Sequence, residues 1–233
     1  MYIVAADVKS LYPNLNRSLI KLALEDAIEK CTNFTKKAKE TLTELTIYCL
    51  NNILIEFQDN VFMQETGVVT GENNSVAIAN ISLHYVINTI TEIRSTIIFR
   101  RYIDDIIYLT EDKEKGEIIK EKLKETFTKY GLQLTFREMD TRNEDNNIEF
   151  LDVLHCTDKN NKGGFKLTNF VKPTGIDALF LNGKSHHPLH VFRGIVLSEA
   201  RRLRRLNELD LDYQHSLGQL KKKCINSKFP QTW

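Results

Sequence analysis

Three acidic side chains, Asp7, Asp104 and Asp105, are the residues of this 233-residue chain whose types and spacing could do chemistry. Asp104 and Asp105 are adjacent and lie between the apolar runs Ile97-Ile98-Phe99 and Ile106-Ile107-Tyr108-Leu109, a pattern that reads as a hairpin with both acids at its tip. Neighbouring carboxylates repel unless a cation neutralises them or one takes a proton, which suits a Mg²⁺ site. A solvated turn is the competing reading, because aspartate is common in turns. Asp7 bears on that choice. It stands near the end of the β-branched, apolar stretch Tyr2–Val8, which has the composition of a buried strand, and an acid carried by a buried strand needs a base or a cation. Three oxygen ligands with no soft partner suit two Mg²⁺ ions about 3.5–4 Å apart, one acidifying a hydroxyl nucleophile and one holding a triphosphate. That is phosphoryl or nucleotidyl transfer. No Ser/His/Asp or Cys/His nucleophile arrangement is evident, which fits chemistry that asks for little covalent work from the protein.

Acids at strand ends need a sheet to bring them together. After the first strand, helices are expected over residues 17–30 and 37–57, the second with Leu42, Leu45, Cys49, Ile53 and Phe57 at helical spacing. Gln58-Asp59-Asn60 turns into a short strand, Val61-Phe62-Met63. Residues 64–76 form a loop with Gly67 and Gly71 four apart, running into a helix over 74–93; glycine backbone at a helix start lets N–H groups approach a flat or anionic ligand. On that helix Val76, Leu83, Val86, Ile90 and Ile93 form an apolar stripe, with Asn80, His84 and Asn88 opposite, Asn80 facing the open side of the loop. An amphipathic helix over 113–130 closes at Gly131, and strands follow at 132–138 and 148–155. Lys162-Gly163-Gly164 turns into a strand over 165–171. The order implies an α+β fold: a split βαβ, ferredoxin-like antiparallel sheet with helices on one face.

Hydrophobic residues make up 42% and charged residues 27% of the chain, the balance of a globular protein. Net charge is +1, but its distribution is uneven: ten Lys+Arg against five Asp+Glu from Pro173 onward, and 22 against 26 before it. Cys31, Cys49, Cys156 and Cys224 have neither zinc-site nor disulfide-framework spacing. The N-terminus lacks a signal-peptide pattern and no run approaches transmembrane length, so a soluble, intracellular protein, nuclear or cytoplasmic, is expected with no membrane partner. The closest thing to a linker is the polar stretch 140–147. Toward the end a helix from Pro188 to residue 209 buries Phe192, Ile195, Val196, Leu203 and Leu206 and turns Arg201, Arg204 and Arg205 outward, a face suited to a phosphate backbone, with Lys221-Lys222-Lys223 in weak support. His186, His187 and His190 have no acidic or thiolate neighbour and read as capping or packing residues rather than a metal cluster.

Together these motifs resemble reverse transcriptases along nearly the whole chain. Asp7-Val8-Lys9-Ser10-Leu11-Tyr12 resembles motif A, Gln64 through Gly67, Gly71, Ser75, Ala79 and Asn80 resembles motif B, Tyr102-Ile103-Asp104-Asp105 matches motif C, and residues 148–153 resemble the primer grip. Lys172-Pro173-Thr174 and Ser185-His186-His187-Pro188 are similar to the stretch after the grip in Penelope-like retroelements. The resemblance implies a palm over 1–172, a basic helical thumb over 173–233, and RNA-directed DNA synthesis with two Mg²⁺ ions, Mn²⁺ able to substitute. Asp7 and Asp104 become the principal metal ligands, with Asp105 looser and the Val8 carbonyl a further oxygen. Tyr12 becomes the steric gate that favours deoxynucleotides. Gly67, Thr70, Gly71, Ser75 and Asn80 shape the nucleotide pocket, Phe150 and Leu151 hold the primer end, and Arg201, Arg204 and Arg205 grip an RNA–DNA hybrid. The implied partners are an RNA template, a DNA primer and deoxynucleoside triphosphates.

Two departures stand out. Ser75-Val76 replaces the usual Ser-Pro of motif B, and Thr70 stands where many relatives carry Gln or Met. No fingers precede motif A and no nuclease motif is visible, so the chain reads as a fragment of a retroelement protein. The alternatives are a non-catalytic nucleic-acid-binding remnant and a two-metal cyclase-like enzyme on the same sheet; Tyr12 and the basic helix argue against the latter.

Overall fold

The computed structural model describes residues 1–143, 146–158, 164–172 and 181–230. It divides into two compact units, residues 2–138 and Met1 with residues 139–233. The expected boundary at 172/173, the Lys162-Gly163 turn, Pro173-Thr174 and Glu144-Asp145 of the expected linker fall on or beside residues outside those described.

In residues 2–138, strand β1 (Tyr2–Val8) leads to the one-turn helix α1 (Leu11–Asn14), then α2 (Arg17–Glu29) and α3 (Lys36–Asn51). Asn16 caps α2 by accepting the Leu19 N–H at 2.7 Å, and Thr35 caps α3 through the Ala38 N–H. The expected helix to Phe57 is shorter than its periodicity implied. Helix α3 ends at Asn51, and β2 (Leu54–Phe57) pairs with β3 (Asn60–Met63) in a ribbon. Gln58 and Asp59 both take positive φ, the two-residue turn that matches strand twist, so local turn chemistry overrides the helical spacing of Ile53 and Phe57. Leu42 and Leu45 are exposed, and Leu50 is the buried residue of α3.

Helix α4 (Ser75–Asn88) stops short of residue 93 because Ile90 is extended, and a 3₁₀ turn, Thr91–Ser95, follows. Its buried side comprises Ser75, Ile78, Ala79, Ser82, Leu83 and Val86; Val76, expected in the apolar stripe, is exposed. Strands β4 (Ile98–Tyr102) and β5 (Asp105–Thr110) form the expected hairpin. Helix α5 (Lys113–Lys129) is capped by Asp112, and the Leu132 N–H returns to the Phe127 carbonyl across Gly131. Strand β6 (Leu134–Asp140) completes a sheet of order β4-β5-β1-β6. This is the split βαβ antiparallel arrangement: β5 lies between β1 and β4, antiparallel to both.

Strand alternation sets the two faces of β1. Tyr2, Val4, Ala6 and Val8 enter the core with Leu83, Val86, Ile106, Tyr108, Ile119, Leu123 and Phe127. Ile3, Ala5 and Asp7 take the opposite face. Burying side chains the size of Phe127 and Leu123 contributes about 1.5–3 kcal/mol each, so the core holds the strand ends in place.

The second unit contains a three-stranded sheet, β7 (Asn147–Phe150), β8 (Val153–Thr157) and β9 (Phe165–Asn169), followed by α6 (Leu189–Leu206) and α7 (Asp210–Asn226). The single strand expected over 148–155 is a hairpin: Phe150 pairs with Val153 and the chain reverses at Leu151-Asp152, with Leu151 at φ +54°. Buried Asn207 joins this unit, accepting from the Thr168 hydroxyl and the Asn169 N–H and donating to the Leu203 carbonyl and the Ser216 hydroxyl. Phe192 and Phe229 meet edge to face at 5.1 Å. Among the described residues no helix is long and apolar enough to cross a membrane.

Candidate active site

The three acids lie at one end of the four-stranded sheet. Asp7 on β1 is the cross-strand partner of Asp105 on β5, which also pairs with Tyr102 on β4. Directly opposed residues share a face, so Asp7 and Asp105 stand on the side of the sheet away from the helices. Asp104 lies beside them in the turn, its carbonyl accepting the Val8 N–H at 3.1 Å. That hydrogen bond ties the strand carrying Asp7 to the tip carrying Asp104. Ile103 occupies the left-handed region at φ +52°, a conformation that costs a side-chain-bearing residue about 1–2 kcal/mol.

Electrostatics follow from this geometry. Burial holds the Asp7 carboxyl above the usual aspartate range, Asp104 pushes it further, and Arg137 on β6 opposes the shift. A carboxyl raised by a neighbouring carboxylate belongs to the hard-oxygen donor set a divalent cation takes. Among the described residues no group of three or more His, Cys, Asp or Glu closes into a metal cage. One or two carboxylates with substrate phosphates supplying the remaining oxygens is nevertheless how Mg²⁺ is ordinarily held, so the residues present fit that ion.

The glycine loop packs against α1, the turn that follows β1. Gly67 is buried at φ +74°, and a Cβ there would lie 2.7 Å from the Pro13 carbonyl oxygen and 2.8 Å from that of Tyr12. Only glycine lets the loop approach α1 so closely. The Val68 N–H then donates to the Tyr12 carbonyl at 2.8 Å, placing Tyr12 against the loop. Ser75 is fully buried and its hydroxyl donates to the Val69 carbonyl at 2.5 Å, fixing the loop to the start of α4. Thr70 and Gly71 are both exposed on the outer bend. Asn80 is engaged by Arg101: Nη1 donates to Asn80 Oδ1 at 2.8 Å and to the Ile103 carbonyl at 2.8 Å, and Nη2 to the Asn80 carbonyl at 3.2 Å. His84 is at the surface, 2.8 Å from Asn88.

Residues 2–138 thus carry Asp7, Val8, Asp104 and Asp105 at one sheet end and Tyr12, Gly67 and Ser75 along the loop and its anchor, while Asn80 lies on the helix side, reached through Arg101. Phe150 and Leu151 belong to the second unit, at the β7–β8 tip, where Asp152 pairs with Arg202 at 2.9 Å. Arg201, Arg204 and Arg205 are all exposed on α6; Arg204 pairs with Asp210 at 2.6 Å and covers the Tyr213 ring. His186, His187 and His190 are exposed, His187 lying 3.1 Å from the Ser185 hydroxyl. Sequence reasoning missed Arg101 and Arg137. For Arg101 the signal was available: it precedes the acidic tip on a strand, so alternation turns it to the helix side, where a guanidinium needs partners.

The family model "Reverse transcriptase (RNA-dependent DNA polymerase)" matches residues 2–151, and "Animal helix-turn-helix domain" matches residues 179–233. No curated protein matches the chain. Among solved structures, telomerase from Candida albicans in complex with a fragment of telomeric RNA superimposes with TM-score 0.68 at 12% identity, covering 100% of this chain and 40% of that one. A C-terminally truncated apo telomerase from Candida tropicalis gives 0.58 at 17% identity over 72% of this chain and 35% of that one. The Sicinivirus 3Dpol RNA-dependent RNA polymerase gives 0.52 at 14% identity over 97% and 47%. The chain therefore spans between about a third and a half of the length of these structures.

Proposed function

The chain belongs to the reverse transcriptase family, and from that premise we propose that it is the core of an RNA-directed DNA polymerase performing two-metal nucleotidyl transfer. One observation carries the proposal: Asp7 and Asp105 are cross-strand partners at the sheet end where the Asp104 carbonyl takes the Val8 N–H. Asp7 and Asp104 are the principal ligands of Mg²⁺ or Mn²⁺, with Asp105 and the Val8 carbonyl as secondary oxygens. Bound cations acidify the primer 3′-hydroxyl and neutralise the triphosphate. The chain's own residues supply position. Tyr12, held against the glycine loop, bounds the sugar of the incoming deoxynucleotide, and Gly67, Thr70, Gly71, Ser75 and Asn80 form or support the wall of its pocket. Phe150 and Leu151 hold the DNA primer end, and Arg201, Arg204 and Arg205 follow the backbone of an RNA–DNA hybrid. The Ser185-His186-His187-Pro188 stretch supports a Penelope-like retroelement origin, with an intracellular site of action and the present chain part of a longer protein.

Primer extension on poly-rA/oligo-dT with Mg²⁺ tests the reading. The chain, alone or joined to its upstream sequence, adds dTTP, and Asp104→Asn abolishes addition while duplex affinity is retained. No addition by either form would sink the proposal.

A further inference from the structure

The turn that presents Asp104 is strained, and its restraint lies on the neighbouring strand. Pairing of Tyr102 with Asp105 leaves Ile103 and Asp104 as a two-residue loop, with Ile103 in the left-handed region where such turns ordinarily use glycine. A β-branched residue persists there only when its surroundings over-determine it. Arg101 supplies the determinant. Its cross-strand partner is Ile106, a core residue, so Arg101 projects to the helix side while Tyr102 and Asp105 take the other. From there Nη1 reaches the Ile103 carbonyl and Asn80 Oδ1, both at 2.8 Å, and Nη2 reaches the Asn80 carbonyl at 3.2 Å. A planar guanidinium makes this bridge as one rigid fork, which the single nitrogen of lysine does not reproduce.

Building on the polymerase reading, we propose that Arg101 and Asn80 are a positioning pair that locks the Ile103-Asp104 turn to α4 and fixes the direction in which Asp104 presents its carboxylate. Asn80 then acts through Arg101 and not as a contact to nucleotide. Both of its carbonyl oxygens serve the guanidinium. The pair also joins the acidic tip to the helix that begins at Ser75, where the glycine loop is anchored.

Hydrogen exchange of residues 102–106 in the full chain tests the pair without requiring metal or activity, and primer extension is measured in parallel. Arg101→Met speeds exchange at the tip about tenfold, the scale of losing hydrogen bonds to a charged group, while exchange in α5 is unchanged. Asn80→Ala gives a smaller rise, the double variant no more than Arg101→Met alone, and Asn80→Asp restores protection by keeping an acceptor for the guanidinium. In turnover, Arg101→Met lowers kcat and leaves KM for the deoxynucleotide unchanged. Unchanged tip exchange in Arg101→Met, or additive effects of the two substitutions, overturns the proposal. If Arg101→Met exchanges throughout the chain, Arg101→Lys, which keeps the charge and loses the fork, carries the same expectation of a rise confined to the tip. Failure of both the chain and its longer form to extend primer while the tip responds as described sinks the polymerase reading alone; extension with an unresponsive tip sinks the positioning pair alone.

Discussion

Asp7 and Asp105 face each other across β1 and β5, and Asp104 beside them is the charge that most raises the Asp7 carboxyl. Burial is the larger cause of that shift. A raised folded pKa means that native Asp7 binds its proton more tightly than the unfolded chain does. Between the ordinary aspartate value of about 3.9 and the raised folded value the native state holds more protons, so the contribution to stability falls as pH climbs through that window. In metal-free buffer, Asp7→Asn unfolds at a higher temperature than wild type near neutral pH, and the gap closes toward about pH 3. Added Mg²⁺ raises the wild-type midpoint and not that of the variant. A gap that widens on acidification contradicts this account.

The glycine loop gives a graded prediction. Gly67→Ala must adopt positive φ and also place a methyl 2.7–2.8 Å from the Tyr12 and Pro13 backbone, whereas Gly71→Ala meets nothing within 4 Å and carries backbone strain alone. Urea unfolding should show a loss of about 1–2 kcal/mol for Gly71→Ala, and more, about 2–4 kcal/mol, for Gly67→Ala. Because Gly67 abuts the residue proposed as the sugar gate, Gly67→Ala also raises KM for the deoxynucleotide. Equal losses at the two positions argue against the close approach.

The parts legible in sequence are those where one signal acted alone. The run Tyr2–Val8 is apolar and β-branched almost throughout, so strand β1 and its acid were readable, as were the acidic hairpin and the Asp112-capped helix α5. Failures came where two signals overlapped. Ile53 and Phe57 extend the spacing of α3, yet Gln58-Asp59 forms a tight turn and Leu54–Phe57 pairs as a strand. Phe150-Leu151-Asp152-Val153 reads as one strand because nothing in it resembles glycine, and the reversal sits on a left-handed leucine. Helix α7 escaped notice because Ser216 and Leu220 are its buried residues, too few to make an apolar stripe. Strand alternation turns Arg101 to the helix side, but its partner there is not legible in the sequence, because Asn80 lies 21 positions away.

Asn207 sets the stability of the second unit. Its side chain joins β9, the end of α6 and Ser216 of α7 in a buried setting. Asn207→Ala strands the buried Ser216 hydroxyl and takes a partner from the half-buried Thr168 hydroxyl and Asn169 N–H, and a buried polar group without a partner costs about 1–3 kcal/mol before relaxation. A net loss of about 2–4 kcal/mol in urea unfolding is expected, with exchange protection falling in both α6 and α7. Lys222→Ala, on the exposed side of α7, should stay within about 0.5 kcal/mol of wild type. Comparable losses for the two variants would show that Asn207 is not the joint.

The arginines of α6 separate by their partners. Arg202 is committed to Glu199 and Asp152, and Arg204 to Asp210 and the Tyr213 ring. Arg201 and Arg205 are exposed and form no ion pair among the described residues. If this face follows nucleic-acid phosphates as proposed, Arg201 and Arg205 gain by releasing counterions, while Arg204 must first give up an existing partner. Removing a cation that neutralises one phosphate should lower the slope of log K against log salt by about 0.9 for a B-form duplex. Arg201→Ala and Arg205→Ala should therefore each reduce the slope by about one unit, weakening binding across sequences, and Arg204→Ala should change it less. Arg204→Ala should cost the fold no more than about 1 kcal/mol, because its ion pair is exposed. The measurement is an RNA–DNA hybrid titration at several salt concentrations. Unchanged slopes in both Arg201→Ala and Arg205→Ala remove α6 from the binding surface.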